Sequence, residues 1–245
     1  MTERRAVLIT GGSGALGGEI AKYLNGKGYD IILNYNRNSK GADEVIKGLE
    51  KGSRNISVRC DITNEVDVVS MFDKIKKEYG RLDCVINNAG IHFDAPVWKL
   101  PLEEWKRVMD VNLTGTFLCS KHAIPLMREN GFGRLINISS VVGQRGEFGT
   151  SNYAASKSGL FGLTKTLARE GARFNITSNS VVLGYFSIGM IDDVPQEMQE
   201  RLKSAIPMGR FGEPRELSSL INYLISEDAS YITGQVIGIN GGYYM

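Results

Sequence analysis

Short apolar runs alternate along the chain with longer stretches of helical period. The runs occupy 6–10, 30–34, 56–60, 84–87, 134–139, 177–183 and 235–239. Several lack polar/apolar alternation, as strands of a parallel sheet do when both faces are covered. Between them, 17–27 sets Ile20, Ala21 and Leu24 on one face, and 66–79 puts Val66, Val69, Phe72, Ile75 and Tyr79 on one stripe. Stretches 102–120, 151–173 and 213–226 behave likewise, the last opening at Glu213-Pro214, where proline fits the first turn. The alternation predicts an α/β protein: a single-domain Rossmann fold, with a doubly wound parallel sheet of about seven strands and helices on both faces. No linker-like composition break divides 1–245, so one domain is expected. A lid-like insertion at about 186–211 falls near the sheet's carboxyl edge, where substrate lids sit.

Composition narrows the function classes. Glycine accounts for 29 of 245 residues, about 12% against a usual ~7%, without the G-X-Y period of collagen. With 42% hydrophobic and 23% charged residues the chain is globular rather than disordered. A net charge of +2 gives no electrostatic footprint for nucleic acid. No run approaches the ~20 apolar residues of a membrane span, and the apolar run at the amino end is too short for a secretory signal. Cys60, Cys84 and Cys119 are odd in number and have neither metal-ligand nor C-x-x-C spacing. They read as reduced, packed thiols of a cytoplasmic protein, and no metal site is expected.

The glycines concentrate where chemistry is expected. The first run leads into Thr10-Gly-Gly-Ser-Gly-Ala-Leu-Gly17 and then a helix. Glycine permits a tight turn and close approach of backbone to a pyrophosphate, and the helix amino terminus offers N–H groups and a positive dipole end. The carboxylate that would accept from an NAD ribose should follow the second run. Asn34-Tyr35-Asn36-Arg37 stands there instead, and Arg37 suits a 2′-phosphate. NADP(H) is therefore favoured, with NAD(H) the alternative. Further on, Tyr153 and Lys157 share a helix face at i, i+4. An ammonium beside a phenol would lower its pKa toward the working range of an acid–base group. Ser140 ends a run 13 residues before Tyr153, placed to hydrogen-bond a carbonyl oxygen that gains charge on reduction.

These features occur in one order: the loop at 10–17, Asp61-Ile62, Asn87-Asn-Ala-Gly90, Val111-Asn-Leu-Thr-Gly115, Ile138-Ser-Ser140, Tyr153-x-x-x-Lys157 and Ile239-Asn-Gly-Gly242. Over almost its full length the chain resembles the short-chain dehydrogenase/reductase family. Within it, Tyr153-Ala-Ala-Ser-Lys-Ser-Gly-Leu160 and Tyr231-Ile-Thr-Gly-Gln235 are most similar to the 3-oxoacyl-thioester reductases, including the 3-oxoacyl-[acyl-carrier-protein] reductases. The resemblance implies that Tyr153 donates a proton to the substrate carbonyl, that Lys157 depresses its pKa and holds the nicotinamide ribose, and that Ser140 rather than Ser139 orients the carbonyl. Asn112 would bend a helix and hold a water in the relay to Lys157. Asp61 and Ile62 would flank the adenine, and Asn88, Ala89 and Gly90 would line the cofactor groove. Gly11, Ser13, Gly14, Ala15, Leu16, Gly17, Asn36, Arg37, Gly184 and Phe186 complete the expected cofactor contacts. A homotetramer is implied, pairing the helices around 102–120 and 151–173 through Phe161, Leu163 and Leu167.

Three departures from the family pattern qualify these expectations. Ala15 replaces a usual loop glycine, which is harmless if φ there is negative. Gly14 also lacks the basic side chain that many NADP-dependent members carry at that place. After the sixth run, Leu183 and Ile188 replace the family's Pro and Thr, so weaker cofactor binding or a mobile loop is expected, with the Phe186 backbone left to hold the carboxamide. Arg128, Arg169 and Arg173 are candidates to receive an acidic acyl-carrier protein beside the active-site mouth, although Glu129 and Glu170 interrupt them. The leading function is NADPH-dependent reduction of a 3-oxoacyl thioester, on carrier protein or CoA, as in fatty acid biosynthesis. The alternatives are a sugar or secondary-alcohol dehydrogenase, since Asn34-Tyr35 also resembles glucose dehydrogenases of the family, or a nucleotide-binding protein without turnover.

Overall fold

The computed structural model describes residues 4–50, 52–191 and 194–245. Residues 1–3 of the expected domain and 192–193 of the expected insertion lie outside these. Seven strands form one sheet: β1 (Ala6–Ile9), β2 (Asp30–Tyr35), β3 (Ile56–Arg59), β4 (Cys84–Asn87), β5 (Gly133–Ser140), β6 (Ile176–Leu183) and β7 (Val236–Ile239). Their order is β3-β2-β1-β4-β5-β6-β7, and every pair is parallel. The chain order reverses between β1 and β4, which opens a crevice at the carboxyl ends of those strands. The strands carry no polar alternation because both faces are covered. Val7 and Ile9 of β1 pack with Ile20, Leu24 and Leu217 on one side, while Leu8 packs with Phe72, Leu118 and Leu126 on the other.

Nine helices cover the sheet among the described residues: α1 (Ala15–Asn25), α2 (Ser39–Lys47), α3 (Glu65–Tyr79), α4 (Leu102–Met109), α5 (Gly115–Asn130), α6 (Val142–Arg145), α7 (Ser151–Gly171), α8 (Gln196–Ala205) and α9 (Pro214–Leu224). Helix α2 was not among the expected helices, although Ala42, Val45 and Ile46, with Leu49 just beyond, recur at helical spacing and pack on the core. Of the stripe expected on α3, Phe72, Ile75 and Tyr79 face the core, joined by Val68 and Met71, while Val66 and Val69 are exposed. The stretch 102–120 is not one helix: α4 and α5 are joined by a π-helical turn, Asp110–Thr114, centred on Asn112. Helix α9 starts as its sequence suggests, with Pro214 at its head and a reciprocal capping box between Glu213 and Glu216. Leu167 is buried within the chain, so it cannot supply the association surface expected of it. No helix among the described residues is long and apolar enough to cross a membrane.

Candidate active site

A cavity of about 1050 Å³ follows the carboxyl edge of the sheet across the β1/β4 reversal. At its phosphate end the glycine-rich loop is held by neighbours whose geometry leaves no room for side chains. Gly11 has φ +63°, and a Cβ there would stand 2.9 Å from the Cα of Ala89. A Cβ on Gly17 would stand 2.7 Å from the Gly11 carbonyl oxygen and 2.9 Å from Asn88 Nδ2. Helix α1 begins at Ala15 with no side-chain cap, so its first-turn amides face the cavity mouth as an anion site. Ala15 is the first helical residue and has negative φ, so the methyl group in place of a hydrogen brings no backbone strain. The cradle therefore fits a dinucleotide pyrophosphate.

Three polar residues that the sequence did not assign to this loop's support fix it in place. Asn34, buried at the end of β2, accepts from the Gly11 amide through Oδ1 (3.3 Å) and from the Gly12 amide through its carbonyl (2.9 Å). Thr10 Oγ1 accepts from the amides of Asn88 (3.0 Å) and Ala89 (3.1 Å), and Asn38 Nδ2 donates to the Ser13 carbonyl (3.3 Å). Asn88 donates through Nδ2 to the Thr10 carbonyl at 3.0 Å, so it clamps the loop as well as lining the cavity. Asn34 stood out in the sequence within the Asn34-Tyr35-Asn36-Arg37 stretch, but its clamp on the loop did not.

Next along the cavity, Asp61 accepts from the Thr63 amide (3.0 Å) and hydroxyl (2.7 Å). Burial works against its charge, but Thr63, a bond from Asn36 and the Arg37 guanidinium outweigh it and hold the carboxyl below its usual range. Arg37 itself is exposed at the cavity rim with Asn36, Asn38 and Ser13.

At the other end stand Ser140, Tyr153 and Lys157. Ser140 closes β5, its Oγ accepts from the Val142 amide (3.2 Å), and it shares the cavity wall with Tyr153. Ser139 faces away: its Oγ donates to the Lys157 carbonyl (3.0 Å). Lys157 is almost wholly buried, donates through Nζ to the Ile138 carbonyl (2.8 Å), and lies 5.6 Å from the centre of the Tyr153 ring. Burial pushes its ammonium down to about 8. The expected depression of the Tyr153 pKa by Lys157 is not found. Burial pushes the Tyr153 hydroxyl up to about 12, the Ser140 hydroxyl opposes this, and Asp94 adds to it. The physical reason is placement: the ammonium sits over the ring and is bound to a carbonyl. Tyr153 is thus held protonated, as a proton donor must be.

Asn112 does not line the cavity. It is fully buried behind Gly90, accepts from the Ile91 amide (2.8 Å), and donates to the Ile91 carbonyl (2.9 Å) and Ser156 Oγ (3.0 Å). Ser156 in turn donates to the Tyr153 carbonyl (2.8 Å), linking the π-helical turn to the helix that carries Tyr153. A Cβ on Gly90 would stand 3.3 Å from Lys157 Nζ and 3.5 Å from Asn112 Oδ1, so these residues meet, but the Asn112 side chain is occupied by backbone rather than turned toward a relay water. All the other predicted site residues line the cavity: Gly11, Ser13, Gly14, Ala15, Leu16, Gly17, Asn36, Arg37, Asp61, Ile62, Asn88, Ala89, Gly90, Ser140, Tyr153, Lys157, Gly184 and Phe186. Sequence reading missed His92, whose ring stands edge-on to Tyr153 at 6.4 Å and whose Nδ1 lies 3.2 Å from Asp94.

The departures are accommodated locally. Phe186 pairs with Gly212 through the flanking Tyr185 carbonyl and Ser187 amide, so the Phe186 backbone is not taken up by that bridge. Ser187 turns away toward Glu213 (3.1 Å), and Ile188 packs on the main core while lining the cavity. The arginines proposed to receive a carrier protein lie elsewhere within the chain. Arg128 near the end of α5 and Arg173 beyond α7 stand where these helices lead into β5 and β6, at the sheet's amino edge, and both stack on Phe174. Arg169 lies in the last turn of α7, toward the same edge. The cysteines are buried and unpaired, and burial raises all three thiols, Cys60 to about 12. No group of three His, Cys, Asp or Glu side chains among the described residues is arranged to hold a metal.

A dinucleotide cradle ending at a Ser–Tyr–Lys constellation defines a nicotinamide-dependent oxidoreductase acting on a carbonyl or hydroxyl group. Comparison with known proteins agrees. A family model described as "Enoyl-(Acyl carrier protein) reductase" matches residues 12–244. The chain is 37% identical over 246 residues to "3-oxoacyl-[acyl-carrier-protein] reductase FabG" of Staphylococcus aureus (strain Mu50), covering 100% of both chains. It is 40% identical over 241 residues to "Acetoacetyl-CoA reductase" of Rhizobium meliloti, covering 98% of each. The chain belongs to the short-chain dehydrogenase/reductase family.

Proposed function

We propose that this protein reduces a 3-oxoacyl thioester to the 3-hydroxyacyl thioester, using NADPH. The observation that carries the chemistry is the meeting of Ser140 and Tyr153 on one cavity wall, with the buried Lys157 ammonium 5.6 Å from the Tyr153 ring centre. The names of the relatives from Staphylococcus aureus and Rhizobium meliloti supply the substrate class. Arg37 and the lack of a carboxylate after β2 support NADPH.

When bound, the cofactor supplies a hydride to the carbonyl carbon. Ser140 and Tyr153 present two hydroxyls to the carbonyl oxygen, whose negative charge grows as the carbon is reduced. Tyr153, held protonated by burial, donates its proton to that oxygen. Lys157, buried beside the Tyr153 ring, would hold the nicotinamide ribose of the bound cofactor. Asn112 and Ser156 keep the Tyr153 turn in register. Association as a homotetramer remains part of this reading, with exposed Phe117 on α5 available to a second copy in place of Leu167.

The test is NADPH consumption with acetoacetyl-CoA and with a 3-oxoacyl carrier-protein thioester. Wild-type protein turns over at least one, and Tyr153→Phe loses at least about a thousandfold in kcat while NADPH affinity changes less than about threefold. Glucose oxidation without thioester reduction would sink the reading.

A further inference from the structure

Tyr185 is an unusual cavity wall. It follows β6 and lines the substrate end with Ser140, Val142 and Tyr153, yet its ring does not rest on either core that flanks the sheet. It belongs to a small separate cluster with Ile191, Ile206 and Phe211. Its ring meets Phe211 at 6.2 Å and Tyr243 at 5.4 Å, the latter edge-on.

Tyr243 reaches this position from beyond the last strand. Gly241 and Gly242, both with positive φ, turn the chain after β7, and the Gly242 amide donates to Asn240 Oδ1 (2.9 Å). The Met208 amide donates to the Gly241 carbonyl (3.1 Å), which ties this turn to the segment following α8. Arg145 also meets Tyr243, its guanidinium lying 4.6 Å from the ring centre. Arg145 closes α6, which starts two residues after Ser140, and is fixed by Glu147.

We propose that Tyr243 and Arg145 are positioning residues that hold Tyr185 as the wall against which the acyl substrate is aligned toward Ser140 and Tyr153. Three segments distant in sequence, the turn after β5, the segment after β6 and the chain beyond β7, meet in one stack. Aromatic and cation–π contacts of this kind are short-ranged and do not transmit to the phosphate cradle. The stack therefore bears more on substrate binding than on the cofactor, whose phosphates are held at the far end of the cavity. The substrate assignment rests on the thioester reading above; the positioning of Tyr185 does not.

The experiment compares wild type, Tyr243→Ala, Tyr243→Phe and Arg145→Met. Steady-state kinetics with acetoacetyl-CoA is read beside NADPH affinity, and hydrogen exchange is followed over residues 184–191 and 206–212. Tyr243→Ala is expected to raise KM for the thioester about tenfold with kcat within about twofold, to weaken NADPH by less than about threefold, and to speed exchange in both segments but not in β6. Tyr243→Phe keeps the ring contacts and restores KM to within about threefold of wild type. Arg145→Met falls between them.

Equal losses in thioester and NADPH binding, unchanged exchange in Tyr243→Ala, or failure of phenylalanine to rescue would overturn the proposal. If the wild type reduces no 3-oxoacyl thioester while Tyr243→Ala alone loosens 184–191, the functional reading falls and the positioning of Tyr185 stands. If the wild type is active and Tyr243→Ala matches it in both KM and exchange, the proposal falls and the functional reading stands.

Discussion

Replacing Lys157 by Met tests whether the site holds a buried charge at a cost in stability. Burial lowers the Lys157 pKa from an ordinary 10.5 to about 8, and one donor is bound to the Ile138 carbonyl. This gap corresponds to about 3 kcal/mol of destabilisation of the folded state at pH ~7. The sign follows from proton counting. Between about pH 8 and 10.5 the unfolded chain binds the proton that the folded chain has released, so wild-type stability rises with pH in that window. Methionine carries no charge and lacks this rise. It also leaves the Ile138 carbonyl without its partner, a loss of about 1–3 kcal/mol that does not depend on pH. At pH ~7 the two effects oppose, and Lys157→Met is expected to be between neutral and about 2 kcal/mol more stable than wild type. By pH ~9.5 the difference should have moved about 2 kcal/mol in favour of wild type. Urea unfolding of both proteins across this range, at one protomer concentration, measures it. Parallel stability profiles would show that Lys157 carries no buried charge, and the account of its ammonium in catalysis would fall with it. Turnover should be lost in the variant throughout, a trade of stability against function.

Two further outcomes follow from the cradle. Gly17→Ala places a Cβ 2.7 Å from the Gly11 carbonyl and should weaken dinucleotide binding more than about tenfold. Gly14→Ala meets only that carbonyl, at 3.3 Å, and should change affinity less than about threefold by titration calorimetry; equal effects would refute the cradle geometry. Arg37→Ala should weaken NADPH about five- to tenfold, with the loss shrinking as salt is added, and leave NADH within about twofold. Equal losses for both dinucleotides would remove Arg37 as the discriminating residue.

The sequence alone determined the alternating architecture, because strands covered on both faces need apolar runs and helices between them need a stripe. It also marked the loop at 10–17 and the Tyr153/Lys157 pair, whose spacing is local and therefore survives any tertiary arrangement. Local signals failed where the core decides. The α2 stripe of Ala42, Val45 and Ile46 spans too few residues to stand out, and whether Val66 and Val69 or Val68 and Met71 complete the α3 stripe depends on how that helix sits on the sheet. Only the tertiary structure could show that Asn34 and Thr10 clamp the glycine loop, since their partners lie 23 and 78 residues away. Only it could place Arg128 and Arg173 at the sheet's amino edge, because a residue's distance from a site is set by helix direction rather than by composition. The electrostatics divide the same way. The Tyr153–Lys157 pair is written in four residues of sequence, but burial, which the rest of the chain supplies, raises the tyrosine and lowers the lysine.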